Sequence, residues 1–171
     1  MRLGYVQESN DYKLLKVPFE PIWSKNEGAY LAWVYTLSSG LWKTVPFTLL
    51  SQTVAYGPEI SLNGFVYWLA TSDVECIICL DLIKDEFKLL DVPDDRGFHH
   101  TNVHRKLMVL RGSLVMMVSI HDGFKDTEIW VMKTSYNNGI QQNSWTKKFI
   151  IDPFSKYAIP FGIWDVDNLP V

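Results

Sequence analysis

Cysteine is almost missing from this chain: Cys76 and Cys79 are the only two in 171 residues, and no Asn-x-Ser/Thr sequon occurs. A disulfide framework is thereby excluded, and both absences suit the cytoplasm or the nucleus. No basic run is longer than Lys147-Lys148, and 16 Lys and Arg stand against 19 Asp and Glu. Nothing in that balance pulls strongly on a phosphate backbone, so nucleic acid is not an expected partner. The opening MRLGYVQESNDYK lacks the apolar core of a secretory signal, and no stretch reaches the roughly 18 apolar residues of a membrane helix. The chain reads as soluble and intracellular, with no membrane partner.

Catalytic signatures are also lacking. There is no Gly-x-Ser-x-Gly elbow, no phosphate-cradling Gly-rich loop and no helical His-Glu-x-x-His. Carboxylate pairs such as Asp94-Asp95 and Asp165-x-Asp167 are present, as in any acidic soluble protein. Cys76-Ile-Ile-Cys79 has the form of a zinc or redox pair, but it sits in an apolar run. On an extended strand, residues three apart point to opposite faces, so core packing is the expected role. No enzyme activity, metal or cofactor is expected.

What is abundant is aromatic: seven Trp, eight Tyr and nine Phe lie among Val, Ile and Leu in short runs punctuated by Gly, Pro, Asn and Asp. Branched and flat side chains favour pleated strands, and no long helical periodicity competes. One phrase returns along the chain. Val34-Tyr-Thr-Leu with Trp42-Lys43 matches Cys79-Leu-Asp-Leu with Phe87-Lys88, and Phe87 lies 45 positions after Trp42. A third copy sets Ile129-Trp-Val-Met132 before Trp145-Thr-Lys147, 58 positions after Phe87; twelve residues separate Met132 from Trp145 against four between Leu37 and Trp42, which predicts a hairpin eight residues longer and a spacing of 50 without it. Asn63-Gly64 and Arg111-Gly112 open strand candidates 48 positions apart, and Asn10-Asp11 opens the first. A period of about 40–50 residues holding three or four short strands is that of a propeller blade. The expectation is all-β: an incomplete, kelch- or propeller-like array of about three antiparallel blades. A meandering β-sandwich of similar hairpins is the competing arrangement.

In order, Leu3-Gly4-Tyr5, Asn10-Asp-Tyr-Lys13, Val34-Tyr-Thr-Leu37 with Trp42-Lys43, Asn63-Gly-Phe-Val-Tyr-Trp-Leu-Ala70, Leu80-Asp-Leu82 with Glu86-Phe87, and Glu128-Ile-Trp-Val-Met-Lys133 with Ser144-Trp-Thr-Lys147 resemble the plant F-box-associated interaction domain. This is the C-terminal half of plant F-box and F-box/kelch-repeat proteins, including the S-locus F-box group. The resemblance implies a module of an SCF ubiquitin ligase receptor that holds the protein to be ubiquitinated and sends it to the proteasome. Skp adaptor and cullin would be reached through an F-box, and none precedes Leu3. Residues 1–171 are therefore expected to be one F-box-associated β domain, incomplete at both ends. A carbohydrate-binding or sugar-processing β domain, or a truncated product without a role, are the alternatives.

Recognition residues concentrate in loops on a rigid scaffold. Trp23 follows Pro21 in a polar stretch and Phe124 lies in His121-Asp-Gly-Phe-Lys-Asp126; both are candidate partner contacts, with His99 and His100 in the segment after Pro93 and Tyr136 beside Asn137-Asn-Gly139. Trp42, Phe87 and Trp145 recur at equivalent places, which points to packing between sheets.

Overall fold

The computed structural model describes residues 2–16, 29–48, 54–71, 74–93, 103–120, 126–137 and 140–152. They form β1 (Arg2–Val6), β2 (Asp11–Lys16), β3 (Ala29–Thr36), β4 (Leu41–Thr48), β5 (Val54–Leu62), β6 (Phe65–Thr71), β7 (Glu75–Asp81), β8 (Glu86–Asp91), β9 (Val103–Leu110), β10 (Ser113–Ile120), β11 (Thr127–Asn137) and β12 (Ile140–Ile151), with no helix among the described residues. Three four-stranded sheets result: β1-β2-β3-β4, β5-β6-β7-β8 and β9-β10-β11-β12. Each strand pairs antiparallel with its neighbour in sequence, so one meander is finished before the next begins. This is the expected all-β array of three antiparallel blades. Closed propellers typically have at least about four.

The repeated phrase is the hairpin between the third and fourth strand of each sheet. Its aromatic pairs in register with the strand before it: Trp42 with Tyr35, Phe87 with Leu80, Trp145 with Met132. Counting along the chain aligns Met132 with Leu37; the pairing aligns it with Tyr35. The third hairpin is thus longer by six residues and not eight, and its copy follows the second at a spacing of 52.

Turn chemistry explains the hairpins. Asn63 and Gly64 both have positive φ (50° and 77°), as do Arg111 and Gly112 (48° and 68°). Two left-handed residues in a row are the tight turn whose twist matches the flanking strands. The longer turns Gln7–Asn10, Leu37–Gly40 and Leu82–Asp85 end on Asn10, Gly40 and Asp85 at φ 49°, 67° and 54°.

The chain divides into two compact units, 1–91 and 92–171. In the first, one face of β1–β4 packs on β5–β8, with β1 nearest β5 and β4 nearest β8. The shared core is Val6, Leu15, Ala32, Val34 and Val45 from one sheet against Val66, Trp68, Ala70, Ile78, Leu80 and Leu82 from the other. Gly4 allows a close approach here: a methyl group on its Cα would land on Leu82 Cδ1. Cys76 packs against this core, while Cys79, three positions on, is buried on the opposite face in register with Tyr67. Burial pushes the Cys79 thiol up to about 12, with the Lys88 charge opposing, and raises the Tyr67 phenol above its ordinary value. Neither is a reactive thiolate or phenolate near neutrality.

In the second unit, Val115, Met117 and Ile129 cluster with Met108, Leu110 and Val131 on one face of β9–β12. Leu107, Leu114, Met116 and Val118 are buried on the other. Between Ile129 and Trp130 the pairing with β12 slips by one residue, a bulge that sharpens the local twist.

Candidate functional site

The meander sends the first-to-second and third-to-fourth turns of each sheet to the same end. In the first unit that end is a fixed rim. Asp11, at the start of β2, accepts hydrogen bonds from the Ser38 hydroxyl at 2.5 Å and the Ser38 N–H at 3.1 Å, tying one turn to the next. The Ser38 hydroxyl is the first cause holding the Asp11 carboxyl below its ordinary 3.8, with burial opposing. Asp81 is the counterpart in the next sheet: its carboxylate accepts from the N–H groups of Ile83 and Lys84, both at 3.0 Å, and shapes its own turn. Asp85 reaches back to the first sheet, pairing with Lys13 at 2.7 Å and Lys43 at 3.0 Å. Every one of these carboxylates is committed to a donor inside the rim. They build a scaffold and are not poised as an acid–base pair.

The outer face of the first sheet is a second feature. Tyr5 and Tyr12 face each other with ring centres 5.1 Å apart, and Tyr35 and Trp42 do so at 5.2 Å. Lys16 lies 5.8 Å from the Trp33 ring. Tyr12 and Trp42 remain 44% and 48% exposed. For Trp42 this departs from the packing role that its recurrence suggested. Phe87, its counterpart, meets Trp68 edge-on at the core, because the face it lies on is covered by the first sheet.

A third feature is the ribbon that β11 and β12 form beyond Lys133 and Ser144, where the other two sheets close with four-residue turns. Below it, Glu128 accepts from Trp130 Nε1 at 2.9 Å and from Lys147 at 2.5 Å, and the Lys147 ammonium stands 4.9 Å from the Trp130 ring centre.

Of the residues singled out in the sequence, Trp23, His99, His100 and Phe124 lie outside the described residues. Tyr136 is in β11, its backbone paired with Gln141. No group of three or more potential metal ligands occurs among the described residues. Sequence reasoning missed Asp85 as the hub between two sheets. The available signal was its alignment with Gly40: a side chain at a position that needs positive φ invites a reason for keeping it.

Comparison with known proteins adds the following. The family described as the F-box associated beta propeller domain matches residues 1–167. Two Arabidopsis thaliana proteins named as F-box proteins are similar: one is 24% identical over 142 residues, covering 77% of this chain and 36% of the relative, and the other 25% identical over 165 residues, covering 91% and 40%. The chain therefore spans well under half the length of these curated relatives. No solved structure matches it.

Proposed function

Since the chain belongs to the F-box associated beta propeller domain family, we propose that it is the substrate-recognition module of an SCF-type ubiquitin ligase receptor, directing a bound target protein to ubiquitination and the proteasome. The observation that carries this is the family match over nearly the whole chain, supported by the similarity to F-box proteins. The architecture suits the task. In the first unit two packed sheets with internally satisfied turns give a stiff frame, on which exposed side chains can hold another protein with little loss of freedom on binding. Chemistry falls to the ligase partners; Skp adaptor and cullin are reached through an F-box, and the target through this module. The cytoplasm or nucleus is the proposed location, which suits two free thiols.

Sugar binding finds less support. The ring pairs on the outer face are tilted by 48° and 49°, so the two rings of a pair do not form one flat platform for consecutive sugar units. The test is affinity purification of the full-length gene product from proteasome-inhibited plant cells. Recovery of a Skp adaptor together with a ubiquitinated protein that requires residues 1–167 is expected. Recovery of neither would refute the proposal.

A further inference from the structure

We propose that the arm made by Thr134–Asn137 and Ile140–Asn143 is where this module grips its target, accepting an extended, uncharged segment of the target protein as an added β-strand. The inference rests on the reading of the chain as a protein-binding receptor module and names the surface and the kind of partner.

The register isolates the arm. Met132 pairs with Trp145 as Tyr35 pairs with Trp42 and Leu80 with Phe87. One residue further, the first two sheets turn through Leu37–Gly40 and Leu82–Asp85. The third continues through Thr134–Asn143, Ser135–Gln142, Tyr136–Gln141 and Asn137–Ile140, about 14 Å of additional ribbon. β10 pairs with β11 only from Ser119–Thr127 to Val115–Val131, so among the described residues this ribbon is two strands wide. Its side along Thr134–Asn137 carries main-chain N–H and C=O groups that no third described strand takes up.

Such edges recruit other strands, and proteins blunt them with lysine, proline or bulges. Three stretches of edge strand elsewhere are blunted: β4 holds Pro46, β5 holds Pro58 within an irregularity between Tyr56 and Ile60, and the lower part of β12 has Lys147, Lys148 and the slip near Trp130. Residues 134–143, Thr-Ser-Tyr-Asn-Asn-Gly-Ile-Gln-Gln-Asn, contain no charge and no proline. Thr134 donates to Asn143 Oδ1 across the ribbon at 3.0 Å, and Thr134, Ser135 and Gln142 are exposed. An isolated two-stranded ribbon is marginal in water, and a third strand makes it a sheet. The exposed Ser135 hydroxyl and Gln142 carboxamide supply adaptable hydrogen bonds without charge steering. The occupant that fits is a β-prone, weakly charged segment.

Two experiments test this. A displayed library of random peptides about twelve residues long is selected on the intact chain. Binding is compared with a variant whose residues 134–143 are replaced by the Leu-Ser-Ser-Gly turn of the first sheet. A second variant, Thr134→Lys with Gln142→Lys, blunts the edge at full length, in case the shortened one does not fold. Selected peptides are expected to bind either variant at least about tenfold more weakly, and to lose about tenfold on N-methylation at alternate residues. Between about 50 and about 500 mM salt their affinity should change less than about threefold. An empty selection, equal binding to the variants, or N-methyl effects without alternation would overturn the proposal. So would a dimer of the intact chain in sedimentation that the variants lack, because the arm's occupant would then be a second copy. In plant cells, a full-length receptor with the shortened arm should keep its Skp adaptor and lose its ubiquitinated target. If it keeps the target, the arm is not the grip and the receptor reading stands; if the unaltered receptor has neither, that reading falls and this inference with it.

Discussion

Tyr35 and Leu80 hold the same place in two successive sheets, each opposite the aromatic of the fourth strand, yet Leu80 is 0% exposed while Tyr35 stands on an open face. The comparison extends to their neighbours. Trp33 corresponds to Ile78, Leu14 to Val66 and Lys16 to Trp68; the first of each pair lies on the outer face of the first sheet and the second in the core between the sheets. Where the face is covered, aliphatic side chains dominate. Where it is open, tyrosine and tryptophan combine apolar area with a polar tip that water can reach, as when Tyr5 donates to Asn10 Oδ1 at 2.8 Å. The repeat fixes which positions share a face, and the neighbouring sheet fixes what that face requires.

The sharpest way to break this comparison is to truncate both members of the leading pair. Leu80→Ala removes a side chain from a sealed core and is expected to cost about 3 kcal/mol in denaturant unfolding, whereas Tyr35→Ala, losing chiefly its contact with Trp42, should cost about 1 kcal/mol. Equal losses would mean that the outer face is sealed in solution. A smaller effect concerns Asp85, the link between the two sheets. A double-mutant cycle should give about 1 kcal/mol for Asp85 with Lys13, both largely shielded, and a few tenths for Lys43, whose side chain is 62% exposed. Asp85→Asn is the partner substitution because asparagine tolerates the positive φ there. The order of the two couplings, reversed, would reassign the link.

The smallest expected effect is a pH dependence confined to the first sheet. The folded Asp11 carboxyl titrates below its ordinary 3.8, so its contribution is present above that value and is lost as pH falls through the lowered one. Ser38→Ala removes the first cause of the lowering. The denaturation midpoints of parent and variant should differ at pH 7 and converge as the pH drops below about 4. A constant difference across that range would show that the hydroxyl acts through packing and not through the carboxylate.

Much of the fold was legible. Alternating branched and aromatic residues, Asn-Gly turns and a returning phrase gave strands, their hairpins and the count of sheets, because these depend on neighbours close in sequence. The opposite faces of Cys76 and Cys79 followed from the same alternation. The candidate surfaces were less legible. Trp42 read as packing because recurrence reports position in the repeat and carries no information on whether a sheet lies against it. The arm was visible as a long third hairpin, but its length was misjudged by two residues, since only pairing across strands decides which residue stands opposite Trp145.

By itself the sequence determined the units: period-two patterning sets the two faces of every strand, and residues able to take positive φ set where each hairpin turns. Only the tertiary structure decided which faces are sealed, that Asp85 binds lysines 72 and 42 positions away, and that β11 continues past its pairing with β10 through Thr134–Asn137. The physical reason is range. Backbone preference and alternation act within a few residues, whereas burial and ion pairing depend on segments that the chain brings together only after its sheets have formed.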